Sequence, residues 1–234
     1  LGLVGSEMCI RDSLRADVRR AGMKRLKFEN VSVRYHYDEF DALADLSFEV
    51  NEGETVSVML GAQGGKTTAA KLIMGLLRPT CGKITADGAP LEETLPKARK
   101  IAYFCFPPLA FKTTVGKNVS RVLRLDGFGK TESSLKAAQA LKRFGLEGLA
   151  RKKAASLDEE GLLKLSLARA WAKKAEFFIV DGPTNEIFVD KITALAAELG
   201  ASTLLLCDSP ASARGRILDF LPKFNLTEEF DEPI

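Results

Sequence analysis

The segment GAQGGKTTAAKLIMG, Gly61 to Gly75, follows an apolar, strand-like run from Thr55 to Leu60 and opens a helical one from Thr67 to Leu77. A glycine-rich turn ending in Gly-Lys-Thr between a strand and a helix is a way of holding phosphate. Backbone N–H groups of the turn and of the helix start point at the anion, and the helix dipole favours it. Lys66 would bring a point charge to the outer phosphates, and the Thr67 hydroxyl stands where it can ligate Mg²⁺. The bland alternative is a glycine-rich turn with a chance lysine. The spacing is irregular: the pattern wants Gly, four residues, then Gly-Lys-Thr, yet Gly61 stands one position too close to Gly65. Either one loop residue is missing, or Leu60 takes the first glycine position.

The surrounding chain has 234 residues, long enough for one large domain or a core with a smaller lobe. Its 46% hydrophobic and 28% charged residues are those of a soluble globular protein. A net charge of +3, with no Lys/Arg block and no aromatic stacking platform, argues against a nucleic-acid partner. No apolar run reaches membrane-spanning length. Cys9, Cys81, Cys105 and Cys207 are scattered without a C-x-x-C pair, and read as reduced thiols of an intracellular protein. The single histidine, His36, excludes any mechanism that needs a histidine elsewhere.

Residues 1–22 are expected to lie outside the fold. LGLVGSEMCIRDS has neither a basic start nor a sustained apolar core, and is not expected to act as a signal peptide. It resembles a translated adapter sequence, and Met23 looks like a natural start. Lys24 to Val33 and Asp45 to Val50 alternate as two half-exposed strands. Between them Tyr35, His36 and Tyr37 could stack on a flat ring, or Tyr35 could simply cover the sheet edge. RPTCGKITADG reads as turn, short strand and turn, and Ile101 to Phe106 as a strand stopped by Pro107-Pro108.

From about Thr114 the composition turns helical. Leu135, Ala138 and Leu141 fall on one predicted face, with Lys136, Gln139 and Arg143 on another. A helix from about Glu160 to Lys174 puts Leu163, Leu167, Ala170 and Trp171 together. Phe177 to Asp181 is an apolar strand ending in a carboxylate. A helix closed by Gly200 follows, and Ser202 to Asp208 repeats the strand-then-carboxylate pattern. Strand, helix, strand spells a parallel sheet with its ligand site at the strands' carboxyl ends, where Asp181 and Asp208 both fall. The tail from Asn225 is acidic and is expected to fray.

In that order these segments resemble the nucleotide-binding subunit of an ATP-binding-cassette (ABC) transporter, from Met23 to about Phe220. KFENVSVRY with ALADLSFEVNEGETVSV is similar to the family's opening hairpin and lead-in strand. GLLRPTCGKITADG, TTVGKNV, SLARAW and FFIVDGPTN resemble later family segments. The resemblance implies an α/β fold: a P-loop NTPase core with a parallel sheet, an N-terminal antiparallel β portion and a helical subdomain over about 114–172, all within a domain at 23–234. It implies ATP and Mg²⁺ as cofactors, with Tyr35 stacked on adenine. Gly61, Gly64, Gly65, Lys66, Thr67 and Thr68 would hold phosphate, Thr67 and Asp181 would hold the metal, and Pro183 and Asn185 match the turn after the acidic strand. It also implies a membrane-spanning partner subunit, a second cassette, and a place at the cytoplasmic face of the membrane.

The departures from the family pattern concern hydrolysis. The glutamine expected after the Ile101–Phe106 strand is Phe106, and the glutamate after Asp181 is Gly182. The histidine ending the later strand is Asp208, and Phe188 falls near the aspartate of the inter-subunit loop. The Leu-Ser-Gly-Gly-Gln signature falls on Leu157-Asp158-Glu159-Glu160-Gly161. No residue is a convincing catalytic group; Glu186 is the nearest carboxylate. The expectation is a subunit that binds ATP with little or no hydrolysis and pairs with a different cassette. The alternatives are an active ATP-hydrolysing transport subunit, a non-catalytic partner or regulatory module, and a decayed gene.

Overall fold

Alternation and apolar runs build two sheets. The computed structural model describes residues 23–35, 41–93 and 100–221. The expectations for residues 1–22, for His36 and Tyr37, and for the tail from Asn225 lie outside the described residues.

The first sheet is antiparallel, in the order β2-β1-β4-β5. Its strands are β1 (Leu26–Val33), β2 (Leu43–Val50), β4 (Cys81–Ala86) and β5 (Ala89–Pro90). Inward positions of β1 and β2 are buried and outward ones exposed, the period-two pattern of a sheet with one wet face. Phe28 and Phe48 are register partners, and their rings stack with centroids 4.6 Å apart.

The second sheet is parallel throughout, in the order β6-β7-β8-β3-β9. It comprises β3 (Thr55–Met59), β6 (Ile101–Cys105), β7 (Phe177–Asp181), β8 (Ser202–Cys207) and β9 (Arg216–Asp219). Every residue of β7 and β8 is buried, as expected for central strands covered on both faces. Alternate side chains go to opposite cores. Phe177 and Ile179 join the antiparallel sheet and the helix α1 (Lys66–Ile73), whereas Phe178 and Val180 join α4 (Glu159–Lys173) and α5 (Glu186–Leu199).

A third cluster unites α2 (Val115–Leu125), α3 (Lys130–Arg143) and α4. Helix α4 serves two clusters at once. Leu163, Leu167 and Ala170 face the sheet, while Leu165 and Ala168 face the other helices. Each leucine buried this way contributes roughly 1.5–3 kcal/mol of transfer free energy. The helix starts follow local chemistry. The Thr114 side chain accepts from Lys117 N, that of Asp158 from Gly161 N and that of Asn185 from Phe188 N, each satisfying an otherwise unpaired N–H.

Three expectations change. Helix α1 stops at Ile73 instead of Leu77, because the chain turns at Gly75 with φ 73. On α3 the buried face is Ser133, Ala137, Ala140 and Leu141; Leu135 is 62% exposed and Ala138 is exposed. Small residues let α3 lie close to its neighbours, which overrides the larger leucine as a guide. Strand β9 was not anticipated. It is short, mostly exposed and at the sheet edge, so it lacks the apolar run of a buried strand.

Candidate functional site

The carboxyl ends of β3, β7 and β8 converge on the start of α1. Between Met59 and Lys66 lie six residues, Leu60 to Gly65. That is the number from first to last glycine in the phosphate-loop pattern, which agrees with Leu60 standing at the first position. Leu60 N donates to Cys207 O at 3.1 Å, which fastens the loop to β8. Gly64 N donates to Gly61 O at 3.2 Å, and Gln63 and Gly65 have φ values of 63 and 81. A Cβ on Gly64 would lie 1.7 Å from Leu60 O, and one on Gly65 would lie 2.2 Å from Ala42 O. Only glycine permits this close a turn at those two positions.

Helix α1 has no side-chain cap and no acid in its first turn. Its first N–H groups are therefore free to meet an anion. Lys66 Nζ donates to Gly61 O at 2.7 Å and is paired with the Asp208 carboxylate. Thr67 Oγ1 donates to Asp181 Oδ2 at 2.9 Å, and Tyr103 Oη donates to the same oxygen at 2.8 Å. Burial, with the bond to Asp181 second, pushes the Tyr103 phenol above its ordinary range, so it stays a proton donor. Thr68 is buried and shares a hydrogen bond of 3.2 Å with the Tyr35 hydroxyl.

The structure thus brings Gly61, Gly64, Gly65, Lys66, Thr67, Thr68 and Asp181 into one cluster, with Tyr35 reaching it through its hydroxyl. Free N–H groups, an ammonium and a closed glycine turn fit a phosphate chain. A hydroxyl beside a carboxylate fits a hard divalent cation. Sequence reading missed Tyr103, whose only signal was its alternate position on β6, two residues before the register partner of Asp181. It also missed the pairing of Asp208 with Lys66, 142 residues away.

Of the positions that differ from the family pattern, Asp208 pairs with Lys66, and the others make contacts of their own. The Phe106 ring lies against Phe188, with centroids 6.3 Å apart. Gly182 has φ 61, and its N–H donates to Leu206 O at 3.0 Å. Glu186 is exposed at the start of α5 and faces Arg214 at 3.8 Å. Asp158 Oδ1 caps α4 through Gly161 N at 2.8 Å. Glu160 pairs with Lys164 at 3.2 Å and Lys191 at 3.3 Å, whose hydrogen bonds hold its carboxyl below the usual range.

Comparison with known proteins gives one consistent family. The model described as "ABC transporter" matches residues 43–185. The spermidine/putrescine import ATP-binding protein PotA of Methylococcus capsulatus is 33% identical over 156 residues, 64% of this chain and 39% of that protein. The Fe(3+) ions import ATP-binding protein FbpC of Rhizobium etli is 31% identical over 166 residues, covering 68% and 45%. The chain therefore spans less than half the length of these two relatives. Among solved structures, the ATP-binding cassette MJ0796, a dimer in a post-hydrolysis state bound to ADP and Pi, is 27% identical with a TM-score of 0.69. That match covers 83% of this chain and 93% of the other. A second dimeric structure of MJ0796, described as a bacterial ABC transporter cassette, is 25% identical with a TM-score of 0.70.

Proposed function

The chain belongs to the ABC transporter family, and on that basis we propose that it is the ATP-binding subunit of a membrane transporter, one that holds Mg-ATP with little or no hydrolysis. The P-loop NTPase fold, with its parallel sheet, antiparallel β portion and helices, is that of the matched cassettes. The observation that carries the proposal is a contrast among these positions: the groups suited to phosphate and cation are bonded together, while Gly182 and Phe106 stand where the resemblance expects a base and a glutamine.

In this reading the N–H groups of Gly61 and Gly65 and of the start of α1 cradle the phosphates, while Gly64 closes the turn. Lys66 supplies a charge-assisted contact to the outer ones. Thr67 supplies a hydroxyl to the cation, and Asp181, oriented by Tyr103, a carboxylate. Thr68 lines the turn, and Tyr35 covers the base. Bound Mg²⁺ would neutralise phosphate charge. Hydrolysis needs a group that orients or deprotonates water, worth about 10²–10⁴ in rate. Gly182 and Phe106 offer none, and Glu186 is turned to Arg214.

The relatives named above are import subunits, which supports a membrane-spanning partner and a position at the cytoplasmic face of the membrane. No helix among the described residues is long and apolar enough to cross a membrane itself. The acidic signature-like segment supports pairing with a different cassette over self-pairing. The domain is taken as 23–234, with its helical part over about 114–172. Calorimetric titration with Mg-ATP beside a phosphate-release assay tests the proposal: saturable binding with release at background is expected. Sustained release would overturn the non-hydrolytic part, and absence of binding would overturn the whole.

A further inference from the structure

Lys66 has three donors. One goes to Gly61 O at 2.7 Å and another to the Asp208 carboxylate. The lysine side chain is 13% exposed and that of Asp208 48% exposed, so the cation lies inside the loop and the carboxylate meets it from the wetter side. Asp181 does not share this work, since its Oδ2 takes the hydroxyls of Thr67 and Tyr103. Among the described residues, Lys66 is the ion-pair partner recorded for Asp208.

We propose that Asp208 is an internal competitor for phosphate at the Lys66 ammonium and sets how many phosphates the site favours. The inference rests on the reading of Gly61–Thr68 as a nucleotide site. The free chain holds its own carboxylate on the ammonium that a phosphate oxygen would use, and a bound nucleotide must share that ammonium with it. Two acceptors on one ammonium lie about 4–5 Å apart, given donor–acceptor distances near 2.8 Å. A carboxylate that stays on Lys66 is therefore a like charge beside the outermost phosphate, the part of the ligand that a phosphate-loop lysine reaches. The opposition grows with the ligand's charge, so a triphosphate loses more affinity than a diphosphate. Asp208 narrows the advantage that ATP would otherwise hold over ADP. No covalent step is involved; two anions compete for one fixed cation.

The experiment is calorimetric titration of the full chain with Mg-ATP and with Mg-ADP, in wild type and in Asp208→Asn. Asparagine keeps the shape and removes the charge, and the half-exposed position tolerates it. Asp208→Ser, run alongside with a thermal melt, guards against an effect peculiar to one replacement. Both variants are expected to bind Mg-ATP at least tenfold more tightly than wild type, and Mg-ADP more tightly by a smaller factor. Unchanged or weaker binding of Mg-ATP by folded variants overturns the competitor role while leaving the nucleotide reading in place. An equal gain for the two nucleotides overturns the selectivity. Failure of wild type and both variants to bind either nucleotide refutes the nucleotide reading and this inference with it.

Discussion

The phosphate loop and the positions expected to serve hydrolysis differ in what they keep. On the phosphate side, loop, helix start, Lys66, Thr67 and Asp181 remain a connected set, each tied to the next by a bond of 2.7–3.2 Å or an ion pair. Elsewhere, positions that the ABC family fills with polar groups are an aromatic contact between Phe106 and Phe188, a left-handed glycine at Gly182 and a salt-bridged acidic helix start. Binding needs only the first set, whereas turnover needs both, so one can persist without the other. The second set is not merely empty. Its replacements make their own contacts, and the segment from Asp158 to Gly161 works as an ordinary helix N-terminus, with a cap and acids facing the positive end of the dipole.

The largest effect should come from breaking the intact side. Lys66→Ala removes the one ammonium in the loop, and Mg-ATP affinity measured by calorimetry should fall at least about 100-fold, the scale of a charge-assisted contact. Equal titrations for wild type and variant would mean that the loop does not hold phosphate.

Restoring one group on the altered side should do far less. A Cβ on Gly182 meets nothing within 4 Å, so Gly182→Glu has room, but φ 61 strains a non-glycine residue. The strain costs about 1–2 kcal/mol, and the other missing groups act with the glutamate as a unit. Phosphate release should rise less than about tenfold over background. A rise of 10² or more, the contribution of a working base, would show the remaining machinery to be intact.

The acidic segment tests the partner side. Three carboxylates near a partner's triphosphate would each oppose it by like-charge repulsion, weakened by salt. Wild type should therefore stay monomeric with Mg-ATP in light scattering. Replacing Asp158, Glu159, Glu160 and Gly161 by Ser, Gly, Gly and Gln should promote Mg-ATP-dependent dimerisation. Tight dimerisation of wild type on ATP would remove the electrostatic argument. The same residues have a folding role of smaller size. Asp158→Ala should cost about 1 kcal/mol and lower Tm by roughly 2–4 °C, whereas Asp158→Ser should keep the cap and the Tm. Identical melts for the two would deny Asp158 its capping role.

The smallest expected effect lies away from both sides, where Glu54 ties the start of β3 to Arg216 on the edge strand β9. The Arg216 hydrogen bond, helped by Asn51, holds the Glu54 carboxyl at about 2 instead of 4.5. A depressed carboxyl stabilises the fold above its unfolded value and loses that contribution as pH falls from about 4.5 to about 2. The pair is partly solvent-exposed, so the contribution is below about 1 kcal/mol. Glu54→Gln should flatten the acid limb of the stability curve by that amount in denaturant titrations; an unchanged limb would show the pair to be without energetic consequence.

Much of the fold was legible because local physics writes it. The runs Thr55–Leu60, Phe177–Asp181 and Ser202–Asp208 are apolar since central parallel strands are buried on both faces, and the turn before Lys66 is rich in glycine because backbone crowds there. Strand β9 left no such trace, being exposed at an edge. The face of α3 misled because close helix packing prefers Ala137 and Ala140 to Leu135. The sequence by itself determined the family and the order of elements, since these are matters of residue type and spacing. Only the tertiary structure decided that Tyr103 bonds to Asp181 and that Asp208 sits on Lys66. Each of these depends on strands far apart in the chain lying side by side, a proximity that no local pattern encodes.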